Sequence, residues 1–259
     1  MFRRFLVLVL VLGLAGSASA SLVGYWALDG DATDSSGNGN DGAINGSVAP
    51  AADRFGNLSG AMSFAGGGGD NIDVGNPPEF NLTGAMTITA WVYLDSTSDN
   101  HGRRNARILG KMDGGGQRSW STGIEKNVAG IDFPATIQVS SNGGDVIGLH
   151  EPSLPLDQWV HFAGVYTPGT SLEVYIDGDL AGIRTTDIPA SQYSANGHSV
   201  LIGHRPACGD CGWYGALDEV RLYDEALTEA QIEAVMAIPE PATILMLGLG
   251  GLALIRRKR

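Results

Sequence analysis

Leu172-Glu173-Val174-Tyr175-Ile176-Asp177-Gly178-Asp179-Leu180 is the stretch whose reading decides the fold. Leu172, Val174 and Ile176 alternate with Glu173 and Tyr175, the period-two pattern of a strand with one buried face. Asp177-Gly178 then supplies a type I′ hairpin turn, in which both central positions take φ > 0. A partner strand over 180–184 closes the hairpin. Working outward, runs rich in Val, Ile, Thr, Tyr and Trp recur between clusters of Gly, Asn, Asp and Pro. They predict further strands over 23–28, 61–64, 72–74, 86–94, 107–111, 119–124, 136–140, 159–166, 200–203 and 216–223. Many short strands with almost no helical periodicity mark an all-β chain, a two-sheet antiparallel sandwich or jelly roll. One short helix is expected near the end. Thr228 is its N-cap, Gln231 completes a capping box, and Leu227, Ile232 and Val235 form its apolar side. The polar stretch 95–105 reads as a long exposed loop, and no internal repeat is present.

Both ends of the chain read as addresses. Arg3 and Arg4 precede an apolar run over 5–15, and Ala18-Ser19-Ala20 is a small-residue cleavage site. Residues 1–20 therefore form a secretory signal peptide, with Ser21 as the mature N-terminus. At the other end, Pro239-Glu240-Pro241 precedes fourteen uncharged residues, 242–255, and then Arg256-Arg257-Lys258-Arg259. As a helix those fourteen would span roughly 21 Å, short of the roughly 30 Å of a bilayer core. The basic end should stay cytoplasmic, leaving everything upstream outside. The arrangement resembles the PEP-CTERM sorting signal of Gram-negative bacteria. That resemblance implies cleavage near Pro239-Glu240-Pro241 by an exosortase-type membrane protease. It also implies transient inner-membrane association, then delivery to the cell surface or an exopolysaccharide matrix. A plain C-terminal anchor, with 242–255 as a transmembrane helix, is the alternative.

Between the addresses lies one domain, 21–238. The ends hold six of the sixteen Lys and Arg and one of the 28 acids, leaving ten bases against twenty-seven acids. So acidic a surface repels phosphate backbones, and nucleic acid is excluded as a partner. Neutral glycans and divalent cations remain compatible with it. Cys208 and Cys211 are the two cysteines. In an exported all-β chain this C-x-x-C favours a local disulfide over a redox pair. A zinc site lacks a second pair of ligands at a matching spacing.

Several of the runs resemble, in order, the laminin G-like branch of the concanavalin A-like lectin and glucanase superfamily. They include Leu22-Val23-Gly24-Tyr25-Trp26-Ala27-Leu28-Asp29-Gly30, the loop Asp34-Ser35-Ser36-Gly37-Asn38-Gly39-Asn40-Asp41-Gly42, and Met86-Thr87-Ile88-Thr89-Ala90-Trp91-Val92. Trp159-Val160-His161-Phe162-Ala163-Gly164-Val165-Tyr166 and Gly215-Ala216-Leu217-Asp218-Glu219-Val220-Arg221-Leu222-Tyr223 follow. The resemblance implies a jelly roll whose family includes lectins, adhesion modules and glycan-cleaving enzymes.

The oxygen-rich loop over 34–42 suits either Ca²⁺ or a plain turn. The resemblance favours a structural calcium ion held by Asp34, Asn38, Asn40 and Asp218. Catalytic signatures are missing. A jelly-roll glucanase carries Glu-x-Asp-x-(x)-Glu on one strand, so that alternation points every carboxylate to one face. Here Asp218 and Glu219 are adjacent and should point to opposite faces, while Glu125 and Glu173 stand alone. No Gly-x-Ser-x-Gly elbow or His-Glu-x-x-His pair occurs, and His161 reads as a sheet residue.

Trp120 and Trp213, beside Gly-rich loops, are the candidate ligand-facing aromatics, with partial burial at a sheet edge the competing reading for both. Trp26, Trp91 and Trp159, inside apolar runs, are expected in the core. The expected function is an exported, non-enzymatic module binding carbohydrate (a glycan or exopolysaccharide) or protein. A hydrolase or lyase on the same fold, or a purely structural matrix protein, is the alternative.

Overall fold

The computed structural model describes residues 21–96, 105–112, 117–125, 133–194, 197–206, 208–209 and 211–238. The signal peptide, the sorting segment with Pro239, Glu240 and Pro241, and most of the polar loop over 95–105 lie outside the described residues. The strands are β1 (Leu22–Trp26), β2 (Ala43–Asn45), β3 (Ala49–Ala51), β4 (Ala61–Ala65), β5 (Asn71–Asp73), β6 (Met86–Leu94), β7 (Arg107–Met112) and β8 (Arg118–Ile124). They continue as β9 (Pro134–Val139), β10 (Ile147–Ser153), β11 (Trp159–Thr167), β12 (Ser171–Ile176), β13 (Asp179–Arg184), β14 (Leu201–Ile202) and β15 (Tyr214–Tyr223), before helix α1 (Glu229–Met236). The first sheet runs β13-β12-β11-β6-β15-β4-β3, with β1 also on β15, and the second runs β10-β9-β8-β7-β14-β5-β2. Every pairing is antiparallel.

Alternation explains why the two sheets face each other. On β6, Met86, Ile88, Ala90, Val92 and Leu94 turn inward; β11 adds Val160 and Phe162, and β15 adds Leu217, Val220 and Leu222. The second sheet answers with Leu109, Trp120, Ile137, Val139 and Ile202, and all of these join one continuous core. The hairpin turn forms as its residues require, with φ of 53° at Asp177 and 90° at Gly178. The Asp177 carboxylate also accepts the His161 backbone N–H at 2.8 Å, tying the turn to β11.

Helix α1 carries the expected capping box. The Thr228 N–H donates to Gln231 Oε1 at 2.9 Å, and the Gln231 N–H donates to Thr228 Oγ1 at 3.4 Å. Ile232 and Leu227 then pack on Ala163, Val165, Tyr175 and Tyr223, a second apolar cluster outside the sandwich.

Three strands escape the sequence pattern. β2 and β3 are three residues each, too short for alternation to register, and both end their sheets. β10 is interrupted by Gly148 and Pro152. It lies at the edge of the second sheet, where a strand tolerates proline because one side of its ladder is unpaired.

Candidate functional site

If Met86, Ile88, Ala90 and Val92 face the core, their neighbours on β6 must face out. Trp91 and Tyr93 therefore project from the outer side of the first sheet. The register places Tyr93 beside Trp159 and Trp91 beside His161 on β11. The Tyr93 and Trp159 rings lie 5.8 Å apart at 57°, and those of Trp91 and His161 lie 5.4 Å apart in an edge arrangement. Trp91, Tyr93, Trp159 and Tyr214 are all half-buried. Two hollows adjoin along this row. One, of about 480 Å³, is lined by Tyr93, Trp159, Tyr214, Ser47, Asp53 and Asp95, among others. The other, of about 530 Å³, is bounded by Trp91, Trp159, Arg54, Phe55 and the end of α1 at Met236, Ala237 and Ile238. Trp159 belongs to both.

The wall between loop and sheet is built by Asp53. Its Oδ1 accepts the backbone N–H groups of Phe55 and Asn57 at 2.7 and 2.8 Å, and its Oδ2 accepts the Asn57 amide at 2.6 Å. A Cβ on Gly60 would lie 2.5 Å from that same Oδ2, so the chain must be bare there. The loop presents Arg54, whose guanidinium lies 4.5 Å from the ring centres of both Phe55 and Trp91. Arg54 Nη1 also donates to Asp218 Oδ2 at 2.8 Å. Phe55 stays 63% exposed.

β15 breaks step beneath this wall. Asp218 pairs with Trp91 and Arg221 with Thr89, three residues along one strand against two along the other. The extra residue is a β-bulge, with Glu219 at φ 53°. Simple alternation would send Asp218 and Glu219 to opposite faces. The bulge instead lets Glu219 accept from Tyr25 Oη at 2.9 Å and pair with Arg221, on the same side as Arg54 and Asp218. Both carboxylates are buried and each is tied to an arginine. His161 lies below Arg54 and Arg221. Its pKa is pushed down to about 3, by burial first and then by those two guanidiniums, so the ring is neutral. Partial burial, followed by the charges of Asp157 and Asp95, raises the Tyr93 phenol.

The structure moves the open aromatic surface to other tryptophans. Trp120 and Trp213, the candidate ligand-facing pair, are both 0% exposed, the buried alternative. The Trp213 indole donates to the Tyr93 carbonyl at 3.2 Å. Trp91 and Trp159, expected in the core, form the open surface. Trp26 is buried as expected, its indole donating to the Asn40 carbonyl at 2.9 Å. The signal that separates these groups is period-two alternation within the apolar runs, which outranks their overall hydrophobicity.

The loop proposed for calcium is closed by hydrogen bonds. Asp34 Oδ1 accepts from the Tyr25 and Ser36 N–H groups at 3.0 and 2.9 Å. Its Oδ2 accepts from Ser36 Oγ and the Asn40 N–H, both at 2.9 Å. Hydrogen bonding to its charged form lowers the pKa of Asp34, although burial, the largest influence, pushes upward. The Asn38 and Asn40 amides donate to the carbonyls of Leu22 and Val23. Asp218 turns to Arg54 instead. As folded, all four side chains are engaged within the protein, in hydrogen bonds or an ion pair. Among the described residues no group of three or more His, Cys, Asp or Glu side chains gathers for a metal. Cys208 and Cys211 form a disulfide with Cα atoms 5.4 Å apart.

Among the described residues no helix is long and apolar enough to cross a membrane; the run 242–255 lies outside them. A laminin G-type profile described as the concanavalin A-like lectin/glucanases superfamily matches residues 66–233. The PEP-CTERM protein-sorting motif matches residues 237–259. No curated protein matches the chain.

Among solved structures, domain 4 of AbnA, an extracellular arabinanase from Geobacillus stearothermophilus, was determined in complex with arabinotriose. It is 20% identical, with 83% of this chain and 98% of that one covered and a TM-score of 0.61. The binding domain of Paraclostridial Mosquitocidal Protein 1 is 17% identical, with 83% and 51% covered and a TM-score of 0.63. The ligand-binding domain of botulinum neurotoxin serotype D, in complex with N-acetylneuraminic acid, is 14% identical, with 83% and 50% covered and a TM-score of 0.59. The chain thus spans about half the length of the two toxin structures. At these identities the likeness establishes the fold, which by itself does not fix function. On its sheets, their register and the profile match, the chain belongs to the concanavalin A-like lectin/glucanase superfamily and carries a PEP-CTERM sorting motif.

Proposed function

We propose that the exported domain is a non-enzymatic carbohydrate-binding module of the cell surface or exopolysaccharide matrix, with the aromatic trough around Trp159 as its sugar site. The observation that carries this reading is a row of half-buried aromatic rings: Tyr93, Trp159 and Tyr214 over a hollow of about 480 Å³, and Trp91 with Trp159 over the adjoining one of about 530 Å³. A sugar ring offers a C–H face to stack on such rings, and its hydroxyls need polar groups at their edge. Ser47, Asp53 and Asp95 line that edge. Mostly apolar hollows with a few convergent polar groups are the usual form of a small-ligand site. Two of the structural relatives were solved with carbohydrate ligands, arabinotriose and N-acetylneuraminic acid.

Hydrolysis is disfavoured by the state of the carboxylates. A glycosidase needs an acid and a partner carboxylate that both reach the bond, whereas Asp218 and Glu219 are buried and paired with Arg54 and Arg221. The sorting motif supports export, with an exosortase-type protease cutting near Pro239-Glu240-Pro241.

A glycan array, run beside a reducing-end assay on the exported protein, tests the proposal. Saturable binding without product is expected, and Trp159→Ala should weaken it by at least about tenfold, as loss of a central aromatic anchor does. Release of reducing ends would overturn the non-enzymatic reading. Binding that ignores Trp159→Ala would move the sugar site elsewhere.

A further inference from the structure

The outer face of the second sheet holds a cavity that the trough does not use. On β9, Ile137 and Val139 face the core, so Gln138 faces out; beside it on β10, Leu149 faces the core and His150 faces out. There, about 300 Å³ is enclosed by Arg107, Arg118, Arg205, His150, Gln138 and Glu125, with Met112 and Val146 as apolar wall. The domain between the two addresses has ten Lys and Arg against twenty-seven acids. Among the described residues, three of those ten meet here around a single carboxylate, that of Glu125.

The donors are not satisfied by one another. Arg107 is 1% exposed. Its Nη2 donates to Glu125 at 2.6 Å and Gln138 at 3.1 Å, and its Nη1 donates to the Ile124 carbonyl at 3.1 Å. Its Nε remains buried without a hydrogen-bond partner among the described residues, as do Arg118 Nε, Arg205 Nε and His150 Nδ1. An unsatisfied buried polar group costs about 1–3 kcal/mol, so four around one cavity call for a common partner. Burial, and then the neighbouring guanidiniums of Arg107 and Arg118, depress the pKa of Arg205; an anion beside it would offset that repulsion and favour the charged form. The Arg205 backbone is itself fixed, its N–H donating to the Cys211 carbonyl at 3.2 Å inside the disulfide loop.

We propose that this cavity binds one uronate residue of an acidic polysaccharide, its carboxylate held by the forks of Arg118 and Arg205. Guanidinium forks match planar oxyanions in bidentate fashion. About 300 Å³ is the lower limit for a ligand site, which suits one sugar ring better than a chain of them. Gln138 and His150 offer polar atoms to ring hydroxyls, and Met112 and Val146 face the ring carbons. The inference stands apart from the trough on the other sheet.

Titration calorimetry on the exported protein tests it, using a galacturonate trisaccharide, its neutral galactose counterpart, inorganic phosphate and inorganic sulfate. The uronate should bind and weaken as salt rises, while the neutral sugar should not compete for the same site. Arg118→Gln/Arg205→Gln should lower uronate affinity at least about tenfold, the scale of lost charge-assisted bonds. Trp159→Ala should leave it unchanged. Arg107 is left in place, since its removal would strand Glu125; if the double variant fails to fold, Arg205→Gln alone makes the comparison. Wild-type uronate affinity in the folded variant would overturn the proposal, as would absence of any oxyanion binding at millimolar concentration. Binding of phosphate or sulfate without uronate would assign the cavity to phosphate or sulfate esters and overturn the uronate.

Discussion

The outward face of the first sheet is split into two halves. Beneath α1 lie Ala163, Val165, Tyr175 and Tyr223, covered by Ile232 and Leu227. A few residues along the same strands lie Trp91, Tyr93 and Trp159, left half-buried, with only the end of α1 bordering them among the described residues. β11 supplies both halves, with Ala163 and Val165 on one side of His161 and Trp159 on the other. On β11 the small side chains of Ala163 and Val165 let the helix approach, and Tyr175 and Tyr223 complete the sealed patch. Large flat ones with a polar edge leave a surface that is stable wet and ready to take another flat object. The lesson is that one strand can serve the core on its inner side and two different ends on its outer side.

Perturbing the polar wall of the open half should have the largest effect. Arg54→Ala leaves Asp218 charged and fully buried, and loss of one partner of a buried pair costs about 3–5 kcal/mol. Urea denaturation that shows a change below about 1 kcal/mol would mean that Asp218 finds water. On the covered half, Ile232→Ala removes a fully buried anchor and should cost about 2–4 kcal/mol, with sugar binding intact once the domain is folded. Trp91→Ala should show the reverse pattern: a shift in denaturation midpoint worth less than about 1.5 kcal/mol, because the ring is half exposed already, with marked loss of glycan binding. If both variants lost stability alike, the two halves would not be distinct.

The His161 boundary between the halves can be read through pH. Its folded pKa of about 3 lies below the ordinary value near 6.5. The unfolded chain therefore takes up the proton first. The contribution to stability is complete above about pH 6.5 and is lost as pH falls from there towards 3, at up to about 1.4 kcal/mol per pH unit. His161→Gln should flatten that part of the pH–stability profile relative to wild type. A profile of equal slope would mean that the ring protonates in the folded state.

A further change is expected in the first loop. Asp34→Ala should lower stability by about 1–3 kcal/mol, through backbone donors left unpaired. Chelation should leave the wild-type melting curve unmoved if those bonds close the loop. A chelator-sensitive midpoint that Asp34→Ala abolishes would instead establish calcium there.

Much of this arrangement is legible in the sequence. The Asp177-Gly178 turn, the alternation on β12 and the Thr228–Gln231 box are local signals, and each forms as its residues require. The aromatic trough is legible only when 86–94 and 159–166 are read in steps of two; read as continuous apolar runs, they hide Trp91 and Trp159 in the core. The bulge at Glu219 is hidden for a different reason, since one extra residue reverses the facing of everything after it. The arginine cavity depends on strand register, which brings residues 107, 118, 138 and 150 together although no local pattern links them. Arg107 in a largely apolar strand is its one trace, because a charge in such a run must find partners.

The end of α1 adds a question of leash length. Met236, Ala237 and Ile238 border the hollow beside Trp91 and Trp159, and Ile238 is 44% exposed. Three residues, 239–241, separate Ile238 from the apolar run beginning at Ala242, four steps of chain that span at most about 14 Å when fully extended. A tail held in a bilayer would therefore keep that end of the trough within a sugar chain's width or two of the lipid surface, while the arginine cavity, on the far side of the sandwich, would face the medium. Cutting the leash would then do more than release the protein: it would uncover one face of a molecule whose other face had been open throughout.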